Sequence, residues 1–217
     1  MGAPGAGDEA PRGAERGEPY SRKLVVATTN RHKLIEIARL LDRLDWAVEA
    51  IAAYSPGPAP EETGRTFAEN ARLKALHYGA LAPHLTVADD SGLEIDGLDG
   101  EPGVHSARFN GATYAEKFEA IYTRLRERRA LASPARFVCA LAAAEQDRIV
   151  FEATGTIEGR IADRPAGRAG FGYDPIFFYP PYGCTLAEVS AERKAAVSHR
   201  GEAFRKLREY IASGSIR

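Results

Sequence analysis

The chain has 217 residues, 44% of them hydrophobic and 27% charged, with a net charge of -1. That is an ordinary globular balance, with length enough for one large α/β domain or two small lobes. It excludes a global basic field that would attract nucleic acid, and no apolar run approaches the ~20 residues that a membrane helix needs.

Residues 1–20 are rich in Gly, Ala, Pro, Glu and Arg and lack the apolar core of a signal peptide. They read as a disordered tail or a misassigned start, outside the fold. Residues 23–29 (KLVVATT) are a short β-branched run and predict a strand. A helix is expected over residues 32–44, with Leu34, Ile37, Leu41 and Leu44 on one face. Residues 46–51 predict a second strand. A loop rich in Pro and Gly fills residues 52–64, and Thr66 with Glu69 forms a capping box for a helix that runs to about Leu81. Residues 85–89 predict a strand that ends in Asp89-Asp90-Ser91-Gly92, with an extended segment resuming over 93–95. Thr113 and Glu116 repeat the capping signal ahead of a helix carrying Phe118, Ile121, Tyr122 and Leu125. Residues 136–144 and 148–161 predict a hairpin. Residues 164–174 read as a Gly-rich loop and 176–179 as a short strand. The pattern from Thr185 onward is helical, with a break at 198–201. Strands alternating with helices, plus one antiparallel hairpin, predict an α/β fold on a mixed sheet. Two cysteines, Cys139 and Cys184, are too few for a disulfide framework; they leave room for a single bridge, and buried free thiols in a reducing cytoplasm are the expectation.

Four segments carry chemistry. Thr28, Thr29 and Asn30 end the first strand at a helix N-terminus, where free N–H groups and the positive dipole end suit phosphate, and Lys33 adds a charge. The same residues would also serve as a plain Asn cap with a solvated Lys. The Walker pattern is absent. Glu61-Glu62 and Asp89-Asp90 are acids at a loop and a strand end, the kind of oxygen donors that magnesium takes with water and phosphate; Asp, Ser and Gly are equally ordinary turn residues. Residues 167–175 (GRAGFGYDP) place aromatics between glycines, which would let a base approach and stack, or would fold back onto the core. Lys194 and Ser198-His199-Arg200-Gly201 offer donors for carbonyl oxygens, or ordinary charges at a helix end.

Taken together, ATTNRHK (27–33), EETGRTFAENARLK (61–74), ADDSG (88–92), PGVHSAR (102–108), GFGYDPIFF (170–178) and AEVSAERKAAVSHRG (187–201) closely resemble the inosine triphosphate pyrophosphatase family, in order, over about residues 24–210. The resemblance implies a long mixed sheet with flanking helices, two lobes around a nucleotide cleft, a homodimer and a magnesium cofactor. It implies cleavage of ITP, dITP and XTP to monophosphate and pyrophosphate. By motif, Thr28, Thr29, Asn30, Arg31, His32 and Lys33 would grip the triphosphate, with Asn70 and Lys74 facing the phosphates. Glu61 or Glu62, with Asp90, would hold magnesium, and Asp90 is the candidate general base. Ser91 would contact the nucleotide. Phe171, Gly172, Tyr173 and Asp174 would pack around base and sugar, and Lys194, His199 and Arg200 would read the purine. Thr29 stands where many bacterial members have Gly, which would matter if the position needed positive φ. Rival readings are a pyrophosphatase for modified pyrimidines, a non-catalytic nucleotide binder and an RNA-binding α/β module. The GFGYDPIFF and SHRG segments oppose the first, the full set of acids the second, and the near-neutral charge the third.

Overall fold

The computed structural model describes residues 22–42, 44–54 and 57–215. The tail expected at residues 1–20 lies outside them. One seven-stranded sheet organises the molecule, in the order β2-β1-β3-β4-β5-β6-β7. β1 (Lys23–Val26) runs parallel to β2 (Ala47–Ala50) and to β3 (Leu85–Ile95). The remaining pairs are antiparallel: β3 with β4 (Pro134–Glu145), β4 with β5 (Arg148–Ile161), then β6 (Phe177–Tyr179) and β7 (Cys184–Thr185). The sheet is mixed, as the sequence predicts.

Period-two alternation decides what each face buries. Leu24 and Val26, Leu85 and Val87, and Cys139, Leu141 and Ala143 turn one way. There they meet Ile37 and Leu41, of and just past α1 (Arg31–Leu40), and Phe204 and Leu207 of α5 (His199–Ala212). Their neighbours Val25, Ala27, Ala88, Ala140, Ala142 and Ala144 turn the other way, onto Phe67, Ala71, Ala75 and Tyr78 of α2 (Phe67–Gly79). Farther along the same long strands, Leu93, Ile95, Phe137, Ile157 and Ile161 form a third cluster with Ile121 and Leu125 of α3 (Tyr114–Glu127). Two lobes therefore share β3, β4 and β5, and the middle of those strands passes from one to the other.

Both capping boxes form, at Thr66 with Glu69 and at Thr113 with Glu116. A third, Thr185 with Glu188, caps a single 3-10 turn where the sequence reads as the start of a longer helix. The last helical stretch begins with α4 (Ala191–Val197) and breaks at Ser198, whose Oγ accepts the Gly201 N–H at 3.0 Å and so caps α5. The first helix stops at Leu40, four residues short of expectation. β3 is one unbroken strand, where the sequence suggests a turn at Asp89–Gly92. Its residues from Thr86 to Ile95 each pair across to β4, and that ladder overrides the turn preference of Asp, Ser and Gly. Gly92 is required by proximity: a Cβ there would lie 2.3 Å from Ser106 Oγ and 2.6 Å from Gly103 O. Both cysteines are free thiols; Cys139 is buried, whereas Cys184, on the edge strand, is only half-buried. Among the described residues, no helix is long and apolar enough to cross a membrane.

α5 approaches β5 at Gly155, where a Cβ would sit 2.1 Å from His199 O and 2.7 Å from Ala203 N. Gly155→Ala is expected to push the start of α5 off the sheet and to destabilise the fold by about 1–3 kcal/mol. Chemical denaturation would register this as a lower midpoint with an unchanged slope.

Candidate active site

β1 ends where the site begins. It pairs with β3 only over Leu85, Thr86 and Val87, so Asp89, Asp90 and Ser91 lie beyond its end, on a stretch held from the β4 side. Such carboxyl ends of parallel strands are where open α/β sheets leave crevices. A cavity of about 320 Å³ opens there. Consecutive strand residues point to opposite faces, so Asp89 and Asp90 serve different partners although both line the cavity.

Asp90 faces α2. Lys74 Nζ lies 2.9 Å from Asp90 Oδ1 and 3.1 Å from Glu62 Oε1. Asn70, one helical turn before Lys74 and fully buried, donates to Asp90 Oδ2 at 3.2 Å and accepts the Gly64 N–H at 2.8 Å. Asn70 thereby ties the acidic loop to the strand. Burial pushes the Asp90 carboxyl up from its usual range, against the pull of Lys74. Burial also disfavours the charge on Lys74, but Asp90 and Asp89 more than offset it, so its pKa is raised.

Asp89 faces α1 and α5. Its Oδ2 lies 3.0 Å from Lys33 Nζ and 3.2 Å from Arg200 Nη2. Burial alone would raise this carboxyl, yet Lys33, Arg200 and Lys74 together hold it well below the ordinary carboxylate range. Lys33 sits in the first turn of α1, whose N-cap is Asn30; its Oδ1 accepts from His32 N at 3.0 Å and Lys33 N at 3.2 Å. The Asn cap is therefore real, and Lys33 is paired rather than solvated. Thr29 is not among the residues with positive φ, so its side chain meets no left-handed strain.

The far end of the cavity is a network of buried charges. Glu36 takes Lys194 Nζ and Arg200 Nη1, each at 2.7 Å. Asp174 accepts a short bond from Lys194 and the Phe171 N–H at 2.8 Å. Arg200 Nη2 also reaches Ser91 Oγ at 2.7 Å. Phe171 lies under both cations, with Lys194 Nζ 4.8 Å and Arg200 Cζ 5.6 Å from its ring centre. His199 stacks on Phe137 at 4.9 Å. Burial, then Arg200 and Lys194, push its imidazole well below the usual 6.5, so it is neutral at pH 7.

Thr28, Thr29, Asn30, Lys33, Glu62, Lys74, Asp90 and Ser91 thus line the same cavity as Phe171, Gly172, Tyr173, Asp174, Lys194, His199 and Arg200. Asn70 supports the wall from behind Asp90. Arg31, His32 and Glu61 are exposed and do not line this cavity. The sequence reading gave no role to Glu36 or Tyr114, and none of its own to Asp89. Glu36 carried a signal, since it lies one turn after Lys33 on the same face. Strand alternation could have separated Asp89 from Asp90.

Among the described residues, no three His, Cys, Asp or Glu side chains gather closely enough to form a metal cage. Glu62 and Asp90 nevertheless converge on one ammonium, Lys74. Two hard carboxylates about a single cationic point fit magnesium, which takes one or two acids and completes its shell with water and phosphate oxygens.

The family model for the Ham1 family matches residues 24–210. The chain belongs to the Ham1 family. Among relatives, a protein named dITP/XTP pyrophosphatase from an Exiguobacterium species is 44% identical over 87% of this chain and 96% of its own. One of the same name from Bacillus anthracis is 43% identical over 88% and 96%. The solved structure of a HAM1 protein from Coxiella burnetii superposes with a TM-score of 0.82 at 38% identity, covering 88% of this chain and 99% of that one. The Staphylococcus aureus Ham1 protein gives 0.79 at 35%, covering 89% and 100%. The mixed sheet and its flanking helices are therefore the Ham1 fold.

The neutral buried imidazole of His199 has a pH consequence. The unfolded chain takes up a proton near pH 6.5 that the folded chain refuses, so the contribution of His199 is complete above that pH and is lost as pH falls. The stability gap between the wild type and His199→Gln is expected to narrow between pH 7 and pH 5. Urea titrations at each pH would measure it.

Proposed function

We propose that this Ham1 protein hydrolyses non-standard purine nucleoside triphosphates, dITP, ITP and XTP, at the α-phosphorus, releasing the monophosphate and pyrophosphate and so clearing these bases from the nucleotide pool. The observation that carries the reading is that one cavity is lined both by Lys33, Lys74, Asp90 and Glu62 and by Phe171, Lys194 and Arg200. The first group suits a triphosphate and the second a base.

Lys33 and Lys74 face charge that develops on departing pyrophosphate. Their ammonium groups lie on opposite sides of β3, so a phosphate chain across the strand would meet both. Glu62 and Asp90 would hold magnesium, which supplies polarisation of phosphate oxygens and of the attacking water. An ordinary Asp is a poor base at neutral pH, so water activation by the metal would carry much of the load, with Asp90 mainly positioning. Asp90 positions the water and takes its proton, while Asn70 fixes the carboxylate plane.

Selectivity follows from donor arithmetic. Lys194 has three N–H groups and two carboxylate partners, Glu36 and Asp174. Arg200 has five N–H groups, four of them directed at Asp89, Glu36 and Ser91. Each thus keeps a donor for the 6-oxo oxygen of inosine or xanthine. The 6-amino group of adenine would face those donors with a donor of its own, and a buried unpaired donor costs about 1–3 kcal/mol.

ITP and XTP are expected to be cleaved with kcat/KM at least about fivefold above that for ATP, by that same penalty. Pyrophosphate detection over an ITP, XTP, GTP and ATP panel would measure this, and equal rates would refute the reading. EDTA should abolish turnover. Asp90→Asn should lower kcat by roughly a hundredfold or more while nucleotide binding persists.

A further inference from the structure

Phe171 and Lys194 line two cavities at once. The second, about 180 Å³, lies between α1 and the segment that leads into α5, with Ile35, Leu40, Val189 and Ala195 among its walls. Phe171 and Lys194 are thus a partition. His199 and Arg200 line the main cavity and not the second, whereas His32 lines the second and not the main one. The His32 imidazole lies almost parallel to the Phe171 phenyl, 13° apart in plane and 5.4 Å between ring centres. Successive helix residues diverge by roughly 100°, so Lys33 faces the phosphate end while His32, its neighbour, turns to the back of the partition.

We propose that His32 is a positioning residue for the nucleobase: its imidazole backs the Phe171 ring from the second cavity and so holds that ring, with the Lys194 and Arg200 cations packed against it, where the base binds. The inference rests on the purine triphosphate reading above, and it places His32 at the base end of the site rather than at the phosphates. Its physical content is preorganisation. Without a backing ring the phenyl has a partly apolar space of about 180 Å³ to swing into, and a mobile platform must be ordered when substrate binds. A stack of this kind needs a flat ring and no charge.

The test is steady-state kinetics on ITP with magnesium for the wild type, His32→Ala and His32→Phe. His32→Ala is expected to raise KM roughly three- to tenfold, the scale of one aromatic pair, with kcat within about twofold. His32→Phe, which stacks but offers phosphate neither charge nor hydrogen bond, is expected to return KM to near the wild-type value. Thermal midpoints should differ little among the three, since His32 is exposed. An unchanged KM in His32→Ala, or a loss that His32→Phe does not repair, overturns the proposal. A wild type inert toward ITP would instead sink the functional reading, so the two failures are distinguishable.

Discussion

Asp89 is 4% exposed, and the two cations that neutralise it most directly come from opposite ends of the chain: Lys33 from α1 and Arg200 from α5. A lone carboxylate at that depth would be strongly disfavoured, and so would either cation without it. The three therefore fold as a unit. Their contact fixes α1 and α5 over the same face of β3, and this brings the N-terminal turn of α1 near Lys194 and Arg200. Glu36 extends the tie, since it joins Arg200 to Lys194 and, through Lys194, to Asp174 on the Gly-rich loop. Four segments far apart in sequence are thus held by one electrostatic chain.

Close approach makes room for that chain. The alanines at 140, 142 and 144 of β4 let α2 lie near the sheet, which carries Asn70 and Lys74 to Asp90. Gly92 admits Ser106, whose Oγ then accepts the Leu93 N–H at 2.9 Å and anchors the segment that walls the cavity. Gly170 adopts a left-handed φ of 71°, and a Cβ there would collide with the Asp174 carboxylate at 2.1 Å. Small residues here set distances between charged groups, not flexibility.

Local signals gave most of the elements: the β-branched run of β1, the two capping boxes and the β4–β5 hairpin are all where pattern and propensity place them. The break expected at Asp89–Gly92 does not form because turn propensity is local, while the chain answers to a ladder with β4 that lies some fifty residues ahead. Motif alone places Lys33, Glu62, Lys74, Asp90, Lys194 and Arg200 on the cavity wall, though not Arg31 or Glu61. Glu36 went unread because a single acid in an amphipathic helix looks like ordinary surface, and only the arrival of Lys194 and Arg200 from the C-terminal region gives it a role. The division of labour between Asp89 and Asp90 is likewise invisible without the strand that turns them apart.

The long strands carry one more implication. Ten successive pairs bind β3 to β4, from Thr86 to Ile95, and they run through both lobes without interruption. Among the described residues, the halves of the molecule are thus joined by a continuous woven strip. Any narrowing of the crevice around a guest must come from flexing that strip or from the segments at its rim.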